Sequence, residues 1–413
     1  MLEAVRLWLR RLIPVVILAG AALLAYGNLA FVRSAPAQTP FVARWTGLHA
    51  WLTQGMSPYD DSVSADSQVR IYGRPANPAR GEDPQHFLYP PALALDLGPF
   101  ALLPLETARA MWMTVLQLAI VALPLAAGWA FRWPMTGWLR LGSVAMGLFS
   151  LPGFLAVLNG DVAVLVVLAI VLSLVAALRR RESAAGLLAA TTIVKPHLAI
   201  LYLAYLYVWG FRQRRWTLLG WLTTGLAILL GLSTALLPTW PLDIARQVLD
   251  YVDLETIRSA VSRLVATSSH PYTALTWVVT AALLGYLLWE WKLSLAGNER
   301  SIVWAAMLTL TVTAGLAPFS VLANQVLLIP PILLAASVWH ERLGPGRQGA
   351  LALVLVALGV ATWAGAVRGL DPAEVPSMAI VLPPILVAAA LWWVRWWATR
   401  PPMVLETSPA ARP

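Results

Sequence analysis

The sequence predicts an all-α fold: a polytopic transmembrane helical bundle of about 10–13 membrane segments, some short or re-entrant, with a long first extracytoplasmic loop. Three observations predict it. Of 413 residues, 59% are hydrophobic and 12% charged, against roughly 25% charged in an ordinary soluble domain. Apolar runs recur along most of the chain, mean hydropathy is +0.71, and a hydrocarbon core takes about 20 apolar residues per helix. Arginines cluster between those runs, at Arg6, Arg10 and Arg11, at Arg179, Arg180 and Arg181, and at Arg212, Arg214 and Arg215. That is the bias of cytoplasmic loops. Backbone groups in lipid need partners within their own segment, so long apolar runs read as helices. The alternating pattern of a membrane barrel is absent.

The net charge of +9 does not point to nucleic acid, because the basic residues sit at span ends. Many of the 21 tryptophans do so too, Trp129, Trp133, Trp392, Trp393, Trp396 and Trp397 among them, as interfacial belts require. With no cysteine, disulfides and thiolate metal sites are excluded, and the redox compartment is not indicated.

Taken in order, Leu12 to Val32 is long enough to be a retained helix rather than a cleaved signal, with the N-terminus cytoplasmic. The first external loop, 33–88, carries Pro36, Pro40, Pro58, Pro75, Pro78 and Pro84, and its amphipathic run Phe41 to Leu52 predicts a short interfacial helix. The chain re-enters at Tyr89-Pro90-Pro91. Ala92 to Leu103 is short and broken by Gly98 and Pro99, and Ala108 to Trp129 is a full span. Leu139 to Leu158 and Val162 to Leu178 flank Asn159-Gly160-Asp161, with parity between Trp129 and Arg179 left open. Ala184 to Phe211 is interrupted at Lys195-Pro196-His197 between arginine-rich flanks, which predicts two short helices in a hairpin with Lys195 at its tip.

Spans then follow at Trp216 to Leu237, Thr273 to Trp291, Ile302 to Pro318, Asn324 to Trp339, Gly349 to Val367 and Met378 to Trp393, with a second external loop at 238–271. Residues 1–400 read as one transmembrane domain and 401–413 as a short cytoplasmic tail. No internal repeat is visible.

Polar groups at membrane depth are costly and therefore informative. Lys195 either snorkels to an interface or presents an ammonium to a phosphate at a proline-bent break. Asn159 and Asp161 form a surface turn or a polar site. Asn324 and Gln325 hydrogen-bond a sugar or satisfy neighbouring helices. The first loop supplies Asp60, Asp61, Asp66, Glu82, Asp83 and His86, and a carboxylate is the usual base for activating a hydroxyl. The second loop adds Arg258, Arg263, His270 and Tyr272, cations there being suited to phosphate. No phosphate-cradling glycine loop, zinc-binding histidine pair or nucleophile elbow appears.

Four elements resemble the GT-C membrane glycosyltransferases, most closely glycosyltransferase family 87, the polyprenyl-phosphate-mannose-dependent mannosyltransferase-like proteins. They are Gly55-Met56-Ser57-Pro58-Tyr59, Phe87-Leu88-Tyr89-Pro90-Pro91, the Asn159-Gly160-Asp161 turn, and Ala185-Gly186-Leu187-Leu188 through Lys195-Pro196. The resemblance implies an inverting hexosyl transfer, mannose by default, from a polyprenyl-phosphate donor to a lipid-linked or surface glycan. The reaction would lie on the extracytoplasmic face of the plasma membrane, with both termini cytoplasmic. It implies no cofactor and no obligatory metal, and its partners would be membrane lipids, the donor and the acceptor. The family's acid before the loop-helix aromatic is replaced here by Thr39-Pro40-Phe41. Asp60, Asp61 and Asp83 are the candidate bases in its stead. Tyr59, His86, Tyr89, Asn159, Asp161, Lys195, His197, Arg263, His270, Asn324 and Gln325 are the candidate substrate contacts. A catalytically silent relative that binds lipid-linked glycan, and a lipid or small-solute transporter, are the alternatives.

Overall fold

A computed structural model describes residues 2–34, 39–77, 80, 82–251, 258–265, 274–319, 321–343, 347–364 and 377–400. Every regular element among them is helical. The helices are α1 (Leu2–Ser34), α2 (Phe41–Gln54), α3 (Asp61–Tyr72), α4 (Ala94–Ala101), α5 (Leu105–Phe131), α6 (Gly137–Phe149), α7 (Leu151–Leu158), α8 (Ala163–Leu178) and α9 (Glu182–Thr191). They continue with α10 (Pro196–Arg212), α11 (Trp216–Leu236), α12 (Trp240–Leu249), α13 (Ala260–Val265), α14 (Ala274–Leu295), α15 (Glu299–Leu316), α16 (Ile329–Leu343), α17 (Gln348–Ala361) and α18 (Ser377–Ala398). Tight 3-10 turns at Pro91–Leu93, Thr192–Val194 and Leu322–Leu328 precede α4, α10 and α16.

Among the described residues, five helical stretches are long and apolar enough to cross a membrane alone: α5, α11, α14, Leu322–Arg342 and Ala379–Ala398. The pair α6–α7, which covers the expected apolar run Leu139 to Leu158, makes a sixth if it is one span, and it is bent by 58°. The bend falls where Ser150 leaves helical geometry and its hydroxyl oxygen accepts from the Gly153 amide, starting α7 afresh. The apolar helices α8, α17 and Glu182–Val194 are shorter.

The bundle has two chemically distinct ends. At one, Arg132 pairs with Glu299, Arg300 with Glu341, Arg215 with Glu182 and Arg395 with Glu290. At the other lie the loops, with Arg33 beside Glu106. Lipid gives no hydrophobic drive between helices, so close packing and internal polar bonds must hold them. Gly142 of α6 sits against Ala352 of α17, Gly186 of α9 sits against the backbone of Leu218 and Leu222 of α11, and Gly225 of α11 receives the Ala190 side chain. Asn28 of α1 donates to Thr114 and Gln117 of α5.

The hairpin expected around Lys195 is present. Arg215, before α11, grips Glu182 at the start of α9, while Gly186 and Ala190 of α9 meet Leu222 and Gly225 of α11 in the same order. The two helices are therefore parallel, and α10, which turns tightly into α11, returns antiparallel to both. Both legs are rooted at the arginine end and Lys195 stands at the loop end.

The open parity is settled by 91–103. Arg44 of α2 reaches Tyr89 at one edge of that stretch, and its neighbour Trp45 donates to the Leu103 carbonyl at the other. The stretch leaves and returns at one level, packed on α2, so only α5, α6–α7 and α8 run between the ends before Arg179.

Candidate functional site

Lys195 has non-helical dihedrals (φ −135°, ψ 74°), and Pro196 takes the first position of α10, where a missing N–H costs nothing. That break turns the lysine inward. It is 4% exposed, and its Nζ donates to Asp161 Oδ1 and to Asn324 Oδ1, each at 2.6 Å. Asp161 is 3% exposed and follows Gly160, whose φ of +63° closes the turn between α7 and α8. A Cβ at Gly160 would lie 2.6 Å from Phe41, so the turn is pressed onto α2. Only glycine satisfies both conditions.

Arg44 enters the same cluster from α2. It donates to the carbonyls of Asn159 and Gly160 at 2.7 and 3.1 Å and to the Tyr89 hydroxyl at 2.9 Å, and Nη2 lies 3.7 Å from Asp161 Oδ2. Burial alone would raise the Asp161 carboxyl; the Lys195 ammonium and Arg44 guanidinium overcome it and hold the group below the usual carboxylate range. Two cations face one carboxylate, so these three buried side chains carry a surplus of one positive charge, with the Asp83 carboxylate the next anion felt by Arg44. Tyr59 braces the re-entry by donating to the Tyr89 carbonyl at 2.6 Å.

Beyond this cluster the two loops are stitched together. The Tyr251 hydroxyl donates to Asp83 Oδ1 at 2.8 Å, and the Gln85 amide donates to the same oxygen at 2.7 Å. Burial, then the Asp83 charge, push the Tyr251 hydroxyl far above its ordinary pKa. His86 Nε2 lies 2.9 Å from Asp250 Oδ2, and its Nδ1 lies 2.9 Å from Ser64 Oγ. An aromatic path joins the loops to the cluster. Tyr251 and Phe319 have ring centroids 6.0 Å apart, Phe319 and His197 5.9 Å. Phe319 holds φ +55°, uncommon for a bulky residue, and its carbonyl accepts from Asn324 Nδ2.

Of the expected site residues, Tyr59, Tyr89, Asn159, Asp161, Lys195, His197 and Asn324 thus converge, with Asp83 and His86 on the loop side. His197 Nε2 is buried without a hydrogen bond among the described residues. Others stand apart. Asp60 caps α3, its Oδ1 accepting from the Ser62 amide and hydroxyl, which lowers its pKa. Asp61 is exposed and paired with Arg246. Gln325 Nε2 donates to the carbonyls of Ala379 and Ile380, the two that Pro383 and Pro384 leave without helical donors. Arg263 is half-buried in α13, which packs against α14, α15 and α18. His270 and Tyr272 lie outside the described residues.

Sequence reasoning missed Arg44, Tyr251 and Phe319. An arginine inside the apolar run Phe41 to Leu52 was the available signal for the first. Among the described residues no group of three or more His, Asp or Glu could hold a metal ion.

Residues 87–361 match the family model described as Glycosyltransferase family 87. That range takes in Tyr89, Asp161, Lys195, Tyr251 and Asn324, and begins after Arg44 and Asp83. No curated protein and no solved structure matches the chain.

Proposed function

The chain belongs to glycosyltransferase family 87, and from that premise we propose that this membrane glycosyltransferase moves a hexose, mannose by default, from a polyprenyl phosphate to a glycan hydroxyl. The acceptor is a lipid-linked or surface glycan. The reaction takes place at the loop end, and the arginine bias of the opposite end supports reading that face as extracytoplasmic, the membrane being the plasma membrane.

The surplus positive charge carries the reading. Arg44, Asp161 and Lys195 sum to plus one in a buried site, an arrangement completed by a monoanion. A polyprenyl-linked phosphodiester is a monoanion. The donors left for its oxygens include the third N–H of Lys195 and the hydroxyl hydrogen of Tyr89. Cations pre-placed where charge develops on a leaving phosphate supply electrostatic stabilisation without reorganisation, a role otherwise taken by a metal.

In the proposed step the acceptor oxygen bonds to the sugar's anomeric carbon from the face opposite the phosphate. The carbon–oxygen bond to phosphate breaks, its electron pair leaves with the phosphate, and the acceptor's proton passes to a carboxylate. Configuration inverts. Asp83 is the best-supported base of the three candidates. Its Oδ1 is fixed by Tyr251 and Gln85 while Oδ2 carries no hydrogen bond among the described residues.

The test is incubation of purified protein with polyprenyl-phosphate-mannose and a membrane lipid extract, with mass analysis of products. Glycosylated lipid formed by the wild type and not by Lys195→Gln supports the reading; no hexose transfer in either ends it. One observation favours the silent relative. Thr39, in the place of the family's acid, is buried two residues before Phe41, which packs on Gly160. Donor binding at wild-type level without any product identifies that case.

A further inference from the structure

A cavity lies at the arginine end, with a volume of about 360 Å³. It is lined by the last turns of α8 and α10 and the start of α15, with Arg180, Trp209, Arg215, Asn298 and Glu299 in its walls. The length of α8, 16 residues, puts it roughly 24 Å from Asp161 at 1.5 Å per residue. It is not part of the Lys195 cluster.

Three donors in its walls lack acceptors. Trp209 is 3% exposed, and its Nε1–H has no hydrogen-bond partner among the described residues. A buried donor left so is rare and calls for an explanation. Arg215, 5% exposed, stacks its guanidinium 4.3 Å from the centre of the Trp209 ring. Its Nε and Nη2 are taken by Glu182 and the Ala177 carbonyl, and Nη1 has no bond among the described residues. Arg180 is exposed and held at φ +57° with no ionic partner among the described residues.

The acids do not cancel this charge. Glu182 is matched by Arg215, and Glu299 by Arg132, so Arg180 is in excess. The surroundings are those of a membrane surface. Phe211 and Trp216 are largely exposed beside the cavity's helices, and Arg179 lies over the Trp129 ring at 5.7 Å. Basic pockets between membrane helices recruit anionic lipid headgroups.

We propose that this cavity binds a phosphate group, with Trp209 Nε1, Arg215 Nη1 and Arg180 donating to its oxygens. The group is either the headgroup phosphate of an anionic lipid in that leaflet or free phosphate. The proposal does not depend on the transfer reaction assigned to the loop end.

The full-length protein is placed in phosphatidylcholine nanodiscs with and without a minor share of phosphatidylglycerol, and retained lipid is counted by native mass spectrometry. Inorganic phosphate is titrated calorimetrically into the lipid-neutral discs. Arg180→Gln and Trp209→Phe each lower retention or phosphate affinity by about tenfold, the effect of losing one charge-assisted hydrogen bond. Arg214→Gln, at the same end but outside the cavity walls, leaves both unchanged. Phosphatidylglycerol retained against excess phosphate identifies the lipid; phosphate binding with the same variant pattern identifies the free anion. Equal losses in Arg214→Gln and Arg180→Gln, or no binding in either arm, overturn the proposal. Arg180 is exposed, so its variant decides the matter if Trp209→Phe proves unstable.

Discussion

Lys195 and Asn324, 129 residues apart, share a 2.6 Å hydrogen bond in which a neutral amide, not a second carboxylate, accepts from the ammonium. The choice of amide leaves the cluster one positive charge in excess. Asn324→Asp is therefore expected to keep the protein folded while raising the KM for a polyprenyl-phosphate donor by at least about tenfold, since charge complementarity is lost. Steady-state kinetics against donor concentration read this. An unchanged KM would remove the phosphate assignment.

Lys195→Met leaves Asp161 with the Ala163 amide and, as its ionic partner, only the longer contact to Arg44. Stability is expected to fall by about 3 kcal/mol, the lower end for breaking a buried pair, and transfer by roughly a hundredfold or more. Denaturation in mixed detergent and a turnover assay separate the two effects.

The three loop acids are expected to behave differently. Asp83→Asn lowers kcat by about a hundredfold or more, the range for a lost general base, and Tyr251→Phe by less, because it removes one of two donors to the same oxygen. Asp60→Asn retains a good helix cap and Asp61→Asn loses an exposed pair worth little, so both stay near wild type. Equal kcat values across the three aspartate variants would rule out Asp83 as the base.

Gly160→Ala is expected to destabilise by about 1–3 kcal/mol through positive φ, with further loss from the clash with Phe41. Because Gly160 also presents its carbonyl to Arg44 and Trp112, activity drops with stability. A wild-type unfolding midpoint would contradict the pressed turn.

Asp96 of α4 supplies a pH prediction. Burial among apolar neighbours raises its carboxyl to about 6, so the folded state holds the proton more tightly than the unfolded chain. The penalty is absent below the unfolded value near 4, grows as pH rises to about 6, and stays constant above. Asp96→Asn should raise the unfolding temperature at pH 7.5 and leave it unchanged at pH 3.5.

Much of the site was legible because polar residues stand out in an apolar sequence. Lys195 at its proline break, Asp161 and the Tyr89 re-entry were all readable, as was a helix over 41–52, though most of it is buried. What could not be read depends on which segments meet. Arg44 went unread, because nothing in sequence says that the Asn159 and Gly160 carbonyls come within its reach. Gln325 looked like a ligand for sugar, since nothing in sequence says that Pro383 and Pro384 strand two carbonyls beside it. Parity between Trp129 and Arg179 stayed open because hydropathy cannot tell a short apolar helix lying on α2, as at 91–103, from one that crosses.

The ammonium's two acceptors are made at very different times. Asp161 precedes Lys195 by 34 residues and Asn324 follows it by 129. During synthesis the ion pair can therefore form as soon as the hairpin enters the bilayer, whereas the third member arrives only after several further helices have left the ribosome. A nascent chain halted before residue 324 would already shield its lysine yet lack the finished cradle, which makes completion of the cradle a late event in biogenesis.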